Sequence, residues 1–557
     1  MKKLLLTLLL AAAVLGHADD SRLAPDVRAN TASHVRVVIQ YNSPAGPLDI
    51  KLIQQLSGSV LGQLPLVNGI VADLPVGGIS SLSNQAKVKY VSLDRPLAPK
   101  LSNAAPAINA PVVWQSGYTG DGIGIAVIDS GINRHPDLKG GFLGLSRVVY
   151  SQSFVSGEWS TSDQYGHGTH IAGLIAGNGA SSIGPKYTQT FKGIAPDANL
   201  INLRVLDANG AGTDSAVISA ISQAILLKPL FNIRVINLSL GRPVFESYTL
   251  DPVCQAVEAA WKSGIVVVVA GGNNGRYRVT DGYATVTAPG NDPYVITVGA
   301  MKPMGTPTRA DDLIASYSSK GPTVVDQVVK PDVVAPGNLL VSLEAVGTLY
   351  NEYPENWVPY SYYVSGGSSA SSPDYFTLSG TSMAAGVVSG LVADLLEANP
   401  RLTPDQVKAR LMKTAWKTFP KYSSVTDPDT GITYTSQYDV FTVGAGYVDL
   451  QTALKDNSLP MGNAHSPLAR FDTKSKESFM VIDSSSTWGK STAWAPTNVW
   501  GASQFESDSS LWGSTAAWGS VASTGFGTIW SDSAMWGSSA MWGSSAMWGS
   551  SVEEGEN

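Results

Sequence analysis

The sequence predicts an α/β protein. A three-layer domain with a central, mostly parallel sheet follows a small α+β unit and precedes a low-complexity tail of tryptophan repeats. Three observations carry this reading. Between about residues 111 and 455, short apolar runs rich in Val and Ile alternate with helical patterns. Strands without a polar face are buried on both sides, which argues for a parallel sheet covered by helices on each face. Ahead of that region, residues 19–100 hold strand and helix signals at the scale of a small separate unit. Beyond it, from Trp488, tryptophan recurs in a six-residue register, an internal repeat. A chain of 557 residues has room for three or four segments at about 150 residues each.

Composition narrows the classes further. The net charge is −7, so the electrostatic basis for general nucleic-acid binding is missing. Apolar residues make up 43% of the chain, enough for a large core, which excludes global disorder. The single cysteine, Cys254, excludes an intramolecular disulfide framework and a cysteine-based zinc site. It stands on an expected helix and reads as a small buried hydrophobe.

The chain begins Met1-Lys2-Lys3, continues as an apolar run from Leu4 to Leu15, and offers small residues at Gly16 and Ala18. That is the pattern of a secretory signal peptide over residues 1–18, with export to the extracellular medium or cell surface as the expectation. These twelve residues, all apolar but Thr7, span about 18 Å as helix, short of the ~30 Å hydrocarbon core. No later apolar run reaches 18 residues, so no transmembrane anchor is expected. Residues 19–100 form the small α+β unit, with strands expected at His34–Tyr41, Val67–Leu74 and Val88–Leu93 and a short helix at Gly78–Ala86. Residues 96–110, rich in Pro, Ala and Asn, read as an exposed linker.

The strands expected in the main domain, residues 101–455, are Ile123–Ile128, Asn199–Val205, Val235–Leu240, Ile265–Ala270 and Tyr294–Val298. Between them Ser215–Leu227 and Pro252–Ser263 read as helices. Asp251 is the N-cap of the second, with Pro252 at its first position and Gly264 at its end. Parallel sheets of this kind carry their sites at the carboxyl ends of the strands. There stand Asp129, ending GIAVID, and Asn273, after the strongest strand. Two further candidates open helices: His167 in GHGTHIAG and Ser382 in SGTSMAAG. Each alone has a plain structural reading as a turn or cap residue. His167 and His170 are three apart with no Glu between them, unlike the zincin pattern, and His170 reads as structural. Together the residues give Asp, His and Ser in one of the three known triad orders. Ser382 lacks the G-x-S-x-G elbow, since Ala384 stands at the second glycine, which argues against a lipase or esterase.

The segments AVIDSGI (126–132), HGTHIAG (167–173), VINLSLG (235–241), AGGNNG (270–275), KPDVVAPG (330–337) and SGTSMAAG (379–386) resemble the subtilisin-like serine peptidases, the subtilases. The resemblance extends over roughly residues 105–455. It implies the subtilisin-like three-layer fold and a secreted endopeptidase acting on polypeptides through an acyl-enzyme, with a triad of Asp129, His167 and Ser382. Asn273 would supply the oxyanion hole. Ser239, Leu240 and Gly241 would form one substrate-binding edge, with Gly210, Ala211 and Gly212 the other. It implies that residues 19–100 are an inhibitor-like propeptide, the chain's own intramolecular partner. Nothing in the chemistry requires a cofactor. A structural calcium is plausible from the resemblance but has no assigned ligands, because the loop Gly177–Lys192 carries no carboxylate. Where the family usually has Pro-His after the serine, this chain has Gly386-Val387.

Residues 456–557 read as a C-terminal extension. Its register runs Trp488, Trp494, Trp500, Trp512, Trp518, Trp530, Trp536, Trp542, Trp548. Six helical residues turn about 600°, so successive tryptophans would not share a helix face. In a strand they would, about 20 Å apart. The Gly-Ser filler equally suits a flexible segment. The tail therefore stays open between a disordered segment, a self-associating repeat and a surface-contacting module. The alternative function is accordingly a surface-binding or adhesive protein working through this tail.

Overall fold

A computed structural model of the chain describes residues 22–24, 27, 33–94, 96–99, 101–102, 110–140, 144–304, 309–427, 430–472, 477–501 and 552–553. The signal-peptide stretch and the tryptophan hexads from Trp512 onward lie outside these residues. The chain divides into two compact units, residues 1–94 and 95–557.

In the first unit, β1 (His34–Tyr41), α1 (Pro47–Gln55), β2 (Ser59–Leu64), β3 (Gly69–Pro75), α2 (Val76–Ser83) and β4 (Val88–Leu93) follow in order. The strands form an antiparallel sheet ordered β2-β3-β1-β4. Two of these elements left little trace in the sequence. α1 is set by its start: Pro47 sits at the first position, and Asp49 accepts from the Gly46 N–H at 2.7 Å and pairs with Lys87 at 2.6 Å. β2 is half exposed, and its register shifts between Val60 and Gly62, which blurs the alternation that marks a strand.

In the second unit, β5 (Pro96–Pro99) comes first. The central sheet then takes β6 (Gly124–Asp129), β7 (Val148–Ser153), β8 (Asn199–Arg204), β10 (Ile233–Leu238), β12 (Val266–Ala270), β13 (Ile296–Lys302), β14 (Leu313–Ile314) and β15 (Val333–Pro336). It runs β7-β8-β6-β10-β12-β13-β14, with β15 also on β13. Every pair is parallel except the short β14. β6 and β12 are buried along their whole length, as apolar strands between two helix layers must be. α4 (Asp214–Phe231) and α5 (Pro252–Lys262) pack together on one face, α3 (His167–Ala176) and α6 (Thr381–Ala398) on the other. α4 and α6 have the length and hydropathy of a membrane span. α4 turns the face from Ala216 to Ala224 inward while Leu226 and Leu230 stay exposed, and α6 is buried from Thr381 to Leu396. Two short strands of the unit, β9 (Gly212–Thr213) and β11 (Leu240–Gly241), lie outside the central sheet and pair with β5.

Residues 456–501 pack on this same unit. Ser466 Oγ donates to Asp332 Oδ1 at 2.6 Å and accepts from the buried Lys408 amine at 2.8 Å. Trp488, Trp494 and Trp500 are 3%, 5% and 1% exposed. The first three hexads are neither one helix nor one strand. Each is a single helical turn, broken before the next: Thr487–Lys490, Thr492–Trp494 and Pro496–Val499. The breaks bring Trp488 and Trp500 edge to face at 5.1 Å, while the Lys413 amine lies over Trp494 at 4.6 Å.

Candidate active site

Asp129 is the last residue of β6, and its pairing with Arg204 aligns the ends of β6 and β8. The chain turns there because Gly131 takes φ +116°, and a Cβ at that position would meet the backbone of 161–163 at 2.8 Å. Asp129 Oδ1 accepts from the Ser130 N–H and from His167 Nδ1, each at 2.7 Å. His167 opens α3 behind Gly166, at φ +110°, and is fully buried. Its other nitrogen, Nε2, is buried without a hydrogen-bond partner.

Ser382 is the second residue of α6. It does not cap the helix; its Oγ donates to the Ser239 carbonyl at 3.2 Å, and Ser239 Oγ donates back to the Ser382 carbonyl at 2.8 Å. The two helices begin at the same level. A Cβ on Gly386 would touch Ile171 and Leu174 at 3.6 Å, and one on Gly390 would lie 3.2 Å from the Ile175 carbonyl. α3 and α6 therefore run side by side in the same direction. One turn earlier on each stand His167 and Ser382. The Gly386-Val387 departure leaves α6 unbroken, and the 3.6 Å separations are ordinary van der Waals contacts.

Asn273 follows the carboxyl end of β12, an interior strand of the sheet. Its Oδ1 accepts from the Thr381 N–H at 3.1 Å and the Thr381 hydroxyl at 2.9 Å. Two donors on one side assign that side to oxygen and turn the NH2 away from Thr381. The same hydroxyl accepts from the Gly272 N–H at 2.9 Å. Thr381 thus ties the Asn273 loop to the start of α6, a role that no feature of the residue itself announces.

Residues 96–99 do not form the exposed linker expected from their composition. β5 is the middle strand of a three-stranded antiparallel sheet, with Gly212↔Leu97 and Thr213↔Pro96 on one side and Leu240↔Pro99 and Gly241↔Ala98 on the other. Gly212, Leu240 and Gly241 are in the pairing. Gly210 and Ala211 form the turn before it, with the Asp207 N–H donating to the Ala211 carbonyl at 2.8 Å. Gly241 admits no side chain: a Cβ would meet Thr287 Oγ1 at 2.7 Å. Leu101–Ser102 lies against α6 and pairs in parallel with Val552–Glu553.

His170 Nε2 faces the carbonyls of Leu340 and Phe376 at 3.0 and 3.2 Å, and burial pushes its imidazole down to about 3. It is held neutral and away from the cleft. Cys254 is fully buried and its thiol is raised by burial, so it is no nucleophile. The residues around the loop Gly177–Lys192 do not fit a hard cation. Asp137, the carboxylate that reaches the loop, accepts from the Ser181 N–H and the Tyr375 hydroxyl, each at 2.8 Å. The loop is held instead by aromatic contacts, Tyr187 on Tyr363 and Phe191 on Tyr375. Among the described residues no three His, Cys, Asp or Glu side chains form a metal cluster.

A serine at the start of one helix, level with a carboxylate-bound histidine at the start of its neighbour, is the type of arrangement that serine hydrolases use. Two strand edges that embrace an extended chain narrow this to one acting on polypeptides. The profile of the subtilase family matches residues 120–455, and the chain belongs to that family as a subtilisin-like serine peptidase. It is 38% identical to the serine protease AprX of Bacillus subtilis (strain 168) over 339 residues, 60% of this chain and 70% of that protein. It is 32% identical to subtilisin E of the same strain over 424 residues, 74% of this chain and 94% of the relative. Among solved structures, fervidolysin from Fervidobacterium pennivorans, described as a keratinolytic enzyme related to subtilisin, shares the fold. The TM-score is 0.55 at 24% identity, over 77% of this chain and 62% of that one.

Proposed function

We propose that the protein is a secreted endopeptidase made as a zymogen, with Asp129, His167 and Ser382 as its triad. The observation that supports this most is the bond from His167 Nδ1 to Asp129 Oδ1, on a helix set level with the start of α6. With Nδ1–H held by the carboxylate, Nε2 carries a lone pair and can take a proton. In the working state the Ser382 hydroxyl turns from the Ser239 carbonyl to His167, attacks the substrate carbonyl, and gives its proton to Nε2. The imidazolium then protonates the leaving amine, and water repeats the sequence on the ester. The Asn273 NH2 and the Ser382 N–H hold the oxyanion. Asn273→Ala should therefore lower kcat by about 10²–10³-fold, with KM of a peptide anilide nearly unchanged. Loss confined to KM would remove Asn273 from that role.

The pairing of β5 supports a substrate that binds extended, between Gly212 on one side and Leu240–Gly241 on the other, by strand addition. It also supports reading residues 19–100 as a propeptide whose end fills the cleft. The register Leu240↔Pro99 ends β5 one residue short of Ser239 on the facing strand. Ser382 Oγ lies on the Ser239 carbonyl. Self-cleavage should thus expose Leu101 as the new N-terminus, and N-terminal sequencing of the secreted protein reads it. A start elsewhere than Leu101 sinks this register. Export rests on the basic start and apolar run of residues 1–18. The enzyme reading itself is tested with a peptidyl phosphonate: covalent label must appear on Ser382 and on no other residue.

A further inference from the structure

The hydrogen bonds around the proposed triad converge on a carboxylate outside it. Asp163 lies four residues before His167 and is 2% exposed. Its Oδ1 accepts from the Ser130 hydroxyl at 2.8 Å, the Gly166 N–H at 2.7 Å and the Tyr165 N–H at 3.1 Å. Its Oδ2 accepts from the Thr169 N–H at 2.8 Å. The Ser130 hydroxyl, in turn, accepts from the Gly168 N–H at 2.9 Å. The Ser130 N–H donates to Asp129 Oδ1, the same oxygen that holds His167 Nδ1. Asn133 closes the circuit. Its side chain bonds the Asp163 N–H and carbonyl at 2.9 and 3.1 Å, and its own N–H donates to Thr169 Oγ1 at 3.0 Å.

A helix cap would need only the Gly166 and Thr169 bonds. The Ser130 bond does something else: it crosses from the α3 start to the loop that carries Asp129. We propose that Asp163 is a positioning residue for the hydrolysis, acting through Ser130 to set Asp129 Oδ1 against His167 Nδ1. This rests on the triad reading above. Only an ionised or acceptor-bearing side chain can serve, because all four partners of its oxygens are donors. Burial raises the Asp163 carboxyl, and the bonds from Gly166, Thr169 and Ser130 oppose that rise. Asn in its place keeps one acceptor oxygen and presents an NH2 to a site built from N–H and O–H donors. The loop shifts, and the carboxylate–imidazole pair shifts with it.

The test compares full-length wild type, Asp163→Asn, Ser130→Ala and the double variant after maturation. Active sites are counted by phosphonate titration, and kcat and KM are measured per titrated site on a chromogenic peptide. A displacement near 1 Å in a reacting group costs about 10²-fold, so kcat per site in Asp163→Asn should fall by about that factor with KM held. Ser130→Ala should lose in the same direction, and the double variant should be scarcely worse than Asp163→Asn alone, since both act on one path. A purely structural Asp163 would lower yield and Tm but leave kcat per titrated site at the wild-type value, which overturns the proposal. Losses that multiply in the double variant overturn the route through Ser130. If Asp163→Asn does not fold, Ser130→Ala decides: unchanged kcat per site rejects the proposal. A wild type that takes no phosphonate on Ser382 fails the triad reading instead.

Discussion

Ser382→Ala should arrest both hydrolysis of added peptide and processing of the chain itself, while the fold survives. The lost oxygen donates to the Ser239 carbonyl. A single neutral hydrogen bond contributes about 1 kcal/mol, and the return bond from Ser239 Oγ to the Ser382 carbonyl remains. Domains of 150–250 residues shift by about 2–4 °C for such a loss, and this larger unit should shift by less. Activity behaves differently, because neither His170 nor Cys254 can take the place of the proposed nucleophile. His170 is tied to two carbonyls, Cys254 is buried on α5, and neither reaches the strand pairing of β5. The expected loss in kcat is on the order of 10⁶-fold, the remainder being what the oxyanion donors and binding still supply. Intact mass of the secreted variant should show the first unit still attached, with no phosphonate label. Turnover above a tenth of wild type would remove Ser382 as nucleophile.

The parts of this molecule that could be read from sequence are those whose cause is local. β6, β8, β10, β12 and β13 lie within a few residues of the expected runs, because Val- and Ile-rich segments have little use except between two helix layers. α5 starts where expected since its signal is adjacent: Asp251 accepts from the Val253 and Cys254 N–H groups, and Pro252 occupies the first turn. β5 escaped for the opposite reason. Two of its four residues are prolines, which lack a donor and argue against a strand. It is extended because β9 and β11 offer an edge on each side, a cause that lies more than a hundred residues downstream. Asp163 escaped likewise, as one aspartate among many until Ser130, Gly166 and Thr169 converge on it. The hexads misled through their period. Six is even, which suggests a strand face, yet Ser491 and Ala495 interrupt the turns and Trp488 meets Trp500 across two repeats. Period gives spacing along the chain, and only packing decides what that spacing brings together.

Asp129→Asn should lower kcat by about 10⁴-fold although it changes one atom. Asp129 Oδ1 serves two donors, the Ser130 N–H and His167 Nδ1, while Oδ2 is buried with no partner. The carboxamide has two orientations, and each harms the reaction. With its oxygen in the Oδ1 position, the tautomer of His167 is preserved, but the NH2 occupies the buried Oδ2 position without an acceptor. That costs about 1–3 kcal/mol. The imidazolium formed during attack then lacks its counter-charge. With the NH2 in the Oδ1 position, it confronts the Ser130 N–H and donates to His167 Nδ1. The ring proton moves to Nε2, so the nitrogen facing Ser382 becomes a donor and cannot accept the hydroxyl proton. KM should hardly move, because Asp129 is 1% exposed and belongs to β6, not to the strands that pair with β5. Nitrogen-15 NMR of His167 separates the two orientations by the position of the ring proton. In either case turnover within tenfold of wild type would show that the bond from His167 to Asp129 only packs the site, and that another group orients the base.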